Sequence, residues 1–297
     1  MAGLLSSAGR ALRGFASELL PSGVRALQEE IEQCLREAPL KLNEYGFDPY
    51  GLHPDQASRF LLASAILYRY YFRVETHGIA NVPPGRVLII ANHAGQFAYD
   101  GAMLSVALLL EAKPPRLSRG MSEYLFWKLP WVSRMAARIG TMVGTPKNCV
   151  SMLNAEECVM VFPEGARGAN KPFRKRYQLQ RFGQGFMRLA LEAGAPIVPV
   201  GIVGSEEQQP GLANFERLGR SIGLPSLPIT VTAPWFGPLG YLAALPVKYR
   251  IYFGEPMLPE GEPHEEDAVI ERKVDAVKAA MNKLLKRGLE ERSGVFS

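Results

Sequence analysis

Two short blocks of this 297-residue sequence hold side chains that could move a proton and bind an anion. The first is Asn92-His93-Ala94-Gly95-Gln96-Phe97-Ala98-Tyr99-Asp100 and the second is Phe162-Pro163-Glu164-Gly165-Ala166-Arg167. A histidine with an acid nearby can act as an oriented general base, because the carboxylate fixes the tautomer and stabilises the imidazolium that forms. The plainer alternative is that His93 closes a turn and Asp100 caps a helix starting at Gly101. Downstream, the stretch from Gly165 to Leu191 carries Arg167, Lys171, Arg174, Lys175, Arg176, Arg181 and Arg188 and no acid. Such a run is either a solvated face or a contact for phosphate headgroups and an anionic membrane surface.

Both blocks need a scaffold, and the patterning supplies one. Arg86–Ala91 is a β-branched run bounded by Pro83-Pro84-Gly85, and Glu157–Phe162 and Pro196–Val203 are similar. All three read as buried strands. Ile229–Thr232 and Val247–Phe253 read as further strands, and Gly101–Ala112 and Phe182–Ala193 as helices between strands. Strands alternating with helices predict an α/β fold, a central, mostly parallel sheet flanked by helices. In such sheets ligands sit at the carboxyl ends of strands, where both blocks fall. Before the sheet, Val24, Leu27, Ile31 and Leu35 recur at helical spacing, and Pro54–Phe72 is a second, more uniformly apolar helix. After Pro263 an amphipathic helix places Ile270, Val274, Val277, Met281 and Leu284 on one stripe. The expected organisation is an N-terminal helical segment (1–75), an α/β domain (76–258) and a C-terminal helix (259–297).

The formal charge is 34 − 29 = +5. Residues 165–258 carry 11 Lys/Arg against 5 Asp/Glu, a surplus of 11 − 5 = +6, so the positive excess is internal. A basic patch inside a globular domain suits a phosphate-bearing small molecule or a membrane surface better than nucleic acid, for which basic tails or basic helices interleaved with aromatics are expected. Cys34, Cys149 and Cys158 are too few for a disulfide framework, form no zinc-type spacing and fit a reducing compartment. Residues 1–20 carry Arg10 and Arg13 where a signal sequence would be apolar. No run reaches the roughly 18–20 apolar residues that span a bilayer. The absence of a Gly-x-Ser-x-Gly elbow, a Walker-A loop or a dinucleotide fingerprint disfavours serine hydrolase, nucleotide-driven and Rossmann chemistry. His53, His77 and His264 have no partners in sequence, and Cys158 reads as a core thiol. Tyr124–Trp131 and Trp235–Leu242 are aromatic and apolar, suited to core packing, an interfacial face or an acyl-chain tunnel.

Taken with Ala195-Pro-Ile-Val-Pro-Val200, the two blocks resemble, in order and spacing, the glycerolipid acyltransferase superfamily of glycerol-phosphate and lysophosphatidic-acid acyltransferases. The resemblance covers roughly residues 76–258, and Phe-Pro-Glu-Gly-x-Arg is its most specific part. It implies that His93 deprotonates the acceptor hydroxyl with Asp100 orienting it. It further implies that Glu164 and Gly165 bind the glycerol part and Arg167 the phosphate, a role suited to the guanidinium fork. Lys171 and Arg174 are additional phosphate candidates. Two departures stand out. The acid lies at His-x6-Asp rather than the family's His-x4-Asp, so the loop must bulge, which Gly95 allows. The stretch Gly140–Pro146 lacks the arginine of the family's second block.

The resemblance therefore implies an acyl-CoA- or acyl-carrier-protein-dependent O-acyltransferase of lipid and phospholipid biosynthesis. It would need no metal and no cofactor beyond the co-substrate thioester, and would lie in the cytoplasm, peripherally attached to the membrane. The expected acceptor is of the lysophosphatidic-acid type. The alternatives are an acceptor without phosphate (monoacyl- or diacylglycerol-like), a non-catalytic lipid carrier on the same fold, and a thioesterase using His93 on water.

Overall fold

The computed structural model describes residues 21–95, 98–122, 130–169, 171–215, 227–231, 240 and 243–297. Helices α1 (Ser22–Glu37) and α2 (Pro54–Ile66, extended by a π turn at Leu67–Tyr71) precede strand β1 (Glu75–His77). Then follow β2 (Val87–Ala91), α3 (Tyr99–Leu110), β3 (Ser118–Ser122), α4 (Pro130–Arg138), β4 (Met142–Val143), α5 (Pro146–Asn154) and β5 (Cys158–Val161). The rest is a short α6 (Ala166–Ala169), α7 (Gly185–Ala193), β6 (Ile197–Val203), the strands β7 (Gly211–Phe215) and β8 (Leu227–Thr230), β9 (Arg250–Phe253) and α8 (Asp267–Glu291).

Seven strands form one sheet in the order β1-β9-β6-β2-β5-β3-β4. Every neighbouring pair is parallel except β6 with β9. The central strand β2 is buried at every position, as a strand covered by helices on both faces must be. Its side chains alternate between two cores. Val87, Ile89 and Ala91 pack with α1, α2 and α3 on one face, and Leu88 and Ile90 pack with α5, α7 and α8 on the other. The N-terminal helices thus share a core with the sheet. Their loop is tied in by the fully buried Arg119 of β3, whose Nη2 lies 2.6 Å from Asp48 Oδ2 and 3.0 Å from Glu157 Oε1.

Three sequence expectations change in detail. The strand expected at Ile229–Thr232 is β8, which pairs antiparallel with β7 outside the main sheet. On α8 the fully buried stripe passes through Leu285. Leu284 is only half-buried and lies over Gly201 and Gly254, where no side chain stands beneath it. The helix after β2 starts at Tyr99 with Ala98 as its N-cap, so Asp100 sits inside the first turn. The aromatic segments at Tyr124–Trp131 and Trp235–Leu242 lie, for their side chains, outside the described residues.

Candidate active site

The chain passes from β2 toward β3 on one side of the sheet and returns from β5 to β6 on the other. This leaves a switch point at the carboxyl end of β2, the usual place for a ligand. His93 is the second residue beyond β2. Asn92 between them is fully buried, and its side chain prolongs the ladder with β6. Its Nδ2 donates to Ile202 O at 3.1 Å and its Oδ1 accepts from Ile202 N–H at 2.7 Å. The base therefore begins where a fixed pair of hydrogen bonds ends.

Gly95, at φ +82°, turns the chain in a conformation that favours glycine, and helix α3 brings back Asp100. The carboxylate of Asp100 is wholly buried and accepts three N–H groups. His93 Nδ1 and Ala94 N bond Oδ2 at 2.8 Å each, and Gly101 N bonds Oδ1 at 2.8 Å. A carboxylate oxygen accepts, so this contact assigns a proton to Nδ1 and makes Nε2 the ring nitrogen that would take another. Asp100 therefore orients the imidazole and also anchors the first turn of α3. The imidazole stacks on Phe162, ring centroids 4.5 Å apart, and remains partly exposed at 18% of its side-chain surface.

The turn after β5 supplies Glu164, which is buried and holds the backbone of the same histidine. Glu164 Oε1 accepts the backbone N–H of His93 at 3.3 Å, and its Oε2 accepts Gln180 N–H at 2.7 Å. Gly168 permits this close approach: a Cβ there would stand 2.8 Å from Glu164 Cβ and 3.0 Å from His93 O. Gly165 lies in the same turn. Arg167, on α6, is exposed and has no hydrogen bond or ion pair among the described residues. Arg174 is likewise exposed on the 3₁₀ turn Phe173–Lys175.

Lys171 is placed differently from its sequence expectation. Its side chain is 3% exposed, with Nζ 2.9 Å from Glu206 Oε1 and 3.5 Å from Glu164 Oε2. Glu206 belongs to Ser205-Glu206-Glu207-Gln208-Gln209, five consecutive buried polar residues beyond β6. Burial pushes the Glu206 carboxyl up, against the pull of Lys171. This segment is the part of the site that sequence reasoning missed. Its one signal is a polar run directly after a seven-residue apolar strand. Burial also holds the Tyr249 hydroxyl well above its usual range, with Asp100 adding to the effect.

His77 stacks on Tyr252 at 4.4 Å and takes no part in the site. Cys34, Cys149 and Cys158 are free and buried. No described helix is long and apolar enough to cross a membrane.

A partly exposed imidazole on a buried carboxylate lies at the carboxyl end of the central strand of a mostly parallel sheet, an α/β arrangement in which a bound hydroxyl could give up its proton. Residues 73–203 match the family model described as Acyltransferase. The chain is 39% identical over 247 residues to an uncharacterized protein of Mycobacterium tuberculosis (strain ATCC 25618 / H37Rv), covering 82% of this chain and 68% of that one. It is 26% identical over 220 residues to the "DGAT1/2-independent enzyme synthesizing storage lipids" of Gallus gallus, covering 73% and 60%. Its fold superposes with a TM-score of 0.50 and 18% identity on the crystal structure of the 1-acyl-sn-glycerophosphate (LPA) acyltransferase PlsC from Thermotoga maritima, covering 77% and 79%. The chain belongs to the acyltransferase family.

Proposed function

We propose that this acyltransferase moves a fatty acyl group from a thioester donor, acyl-CoA or acyl carrier protein, to a hydroxyl of a glycerolipid at a membrane surface. The observation that carries the reading is the 2.8 Å bond between His93 Nδ1 and the buried Asp100. His93 Nε2 takes the proton of the acceptor hydroxyl while the oxygen attacks the thioester carbonyl. The tetrahedral intermediate collapses, the C–S bond breaks, and the departing thiolate recovers the proton from the imidazolium. One ester and one thiol result, with no covalent enzyme intermediate. Asp100 stabilises the transient imidazolium, as a buried carboxylate on a histidine does.

Arg167, exposed three residues beyond Glu164 and without a hydrogen bond or ion pair among the described residues, supports a phosphate-bearing acceptor of the lysophosphatidic-acid type. A second reading is an acceptor without phosphate. It is supported by Lys171 being held between carboxylates, by Gly140–Pro146 having no arginine, and by the storage-lipid name of the Gallus gallus relative. Labelled acyl-CoA offered with phosphorylated and uncharged monoacyl acceptors separates the two. Label recovered as free fatty acid in every arm would sink both and leave a thioesterase. His93→Ala, folded by its thermal transition, should lose about 10²–10⁴ in turnover; a stable and active variant would sink the assignment of the base.

A further inference from the structure

We infer that Glu164, Lys171 and Glu206 form a buried ionic unit that positions the base, and that neither Glu164 nor Lys171 touches the acceptor. The inference rests on the reading of His93 as the base and assigns its support.

The Glu164 carboxylate is fully enclosed, and both of its oxygens are occupied by the protein itself. One accepts His93 N–H; the other accepts Gln180 N–H and faces the Lys171 ammonium. Lys171 is also buried, and its closer partner is Glu206, whose second oxygen accepts Tyr177 N–H at 2.7 Å. Four separate stretches of chain are fastened by these contacts: the loop after β2, the turn after β5, the segment 171–180 and the polar run after β6. The side chain of Glu164 has no exposed surface, so a hydroxyl of an incoming acceptor could reach it only by pushing the surrounding chain aside, and the contact of Gly168 with Glu164 and His93 leaves little room for such a shift.

The ionic arithmetic shows what the lysine does. Without its ammonium, two buried carboxylates would face each other with no cation between them, and such a site lowers its energy by taking up a proton. A protonated Glu164 or Glu206 accepts less well, so the backbone of His93 or of Tyr177 loses its anchor. The base then shifts relative to the reacting atoms. A misplacement of about 1 Å can cost about a hundredfold in rate without changing how substrate binds.

The test compares steady-state kinetics of Lys171→Met, Glu206→Gln and the double variant Lys171→Met/Glu206→Gln on the acceptor preferred by the wild type, with His93→Ala alongside. Lys171→Met should lower kcat by about 10- to 100-fold and leave the acceptor KM within about twofold, the pattern of lost positioning rather than lost binding. The double variant should recover most of that kcat. It removes one of the two facing carboxylates, and the glutamine oxygen can still accept Tyr177 N–H. A raised KM with kcat preserved would overturn the inference and return Lys171 to the acceptor, as would full activity in Lys171→Met or a double variant no faster than the single. Should Lys171→Met not fold, the double variant decides alone: folded and active upholds the unit, unfolded or inactive overturns it. An active His93→Ala would sink the base assignment instead, whatever the lysine variants do.

Discussion

Replacing Asp100 by asparagine keeps the shape of the side chain and removes its charge, and the three hydrogen bonds at this carboxylate determine the outcome. Oδ2 accepts two of them, from His93 Nδ1 and Ala94 N, and Oδ1 accepts one, from Gly101 N. An amide offers one acceptor oxygen and one donor nitrogen. With its oxygen in the Oδ2 position it retains two bonds and sets an N–H against Gly101 N–H; flipped, it loses two bonds and opposes two donors. The first orientation wins, so the histidine keeps its tautomer. What is lost is the difference between a charged and a neutral acceptor facing the imidazolium, about 1–2 kcal/mol from hydrogen bonds worth about 1.5–3 and 0.5–1.5 kcal/mol respectively. At about 1.36 kcal/mol per decade this slows kcat by about 5- to 30-fold. Asp100→Ala removes the charge and all three acceptors and belongs nearer the full loss of a general base, about 10²–10⁴. Stability of Asp100→Asn should fall by about 1–3 kcal/mol, because Gly101 N–H is left buried without a partner. Label transfer from acyl donor to acceptor, with a thermal or urea transition for each variant, reads both numbers. Wild-type turnover in Asp100→Asn would refute the role of the charge. Turnover as low as that of Asp100→Ala would refute the orientation argument, since it would mean that the amide nitrogen faces the ring.

Arg167→Ala should raise the KM of a phosphorylated acceptor by about 10- to 150-fold, the worth of one charge-assisted bond of about 1.5–3 kcal/mol, and leave a neutral acceptor unchanged. Arg167→Lys should recover only part, having no bidentate fork; an equal loss on both acceptors would remove Arg167 from the phosphate. The thiols of Cys149 and Cys158, pushed up to about 11 by burial, should resist iodoacetamide at neutral pH and react only after unfolding, as counted by mass spectrometry; rapid native labelling would contradict their burial. With Arg167, Arg174, Lys175 and Arg176 exposed, the protein should sediment with anionic vesicles and be released by salt, which screens surface charge beyond about 8–10 Å. Retention indifferent to salt and lipid charge would point to apolar insertion.

The strands at the centre of the sheet were legible because β2, β5 and β6 are apolar throughout, the mark of burial on both faces. The outer strands were not. β1 is Glu-Thr-His, β3 is Ser-Arg-Gly-Met-Ser and β4 has two residues, and β3 hides a guanidinium by ion pairing rather than by apolarity. The candidate dyad could be read because one histidine and one acid lie seven residues apart. Lys171 could not be placed, because a run of cations looks the same in sequence whether each one faces water or a carboxylate. Its main partner lies 35 residues away in sequence, beyond any periodicity. For Glu206 the polar run after β6 was the one local signal, and it does not say which of its members meets a lysine.

The amide of Asn92, closing on both backbone groups of Ile202, has a consequence for motion. The stem of His93 is fastened to the middle of the sheet, the region of a protein that opens only in its rarest and largest fluctuations. The Ile202 amide proton should therefore exchange with solvent as slowly as those of β2 itself. A base mounted in this way cannot be brought into place by a closing loop, so any gating step in the catalytic cycle must belong to the segments that admit acceptor and donor. Turnover limited by such a step would respond to changes in those segments and be insensitive to further stiffening of the strand that carries the histidine.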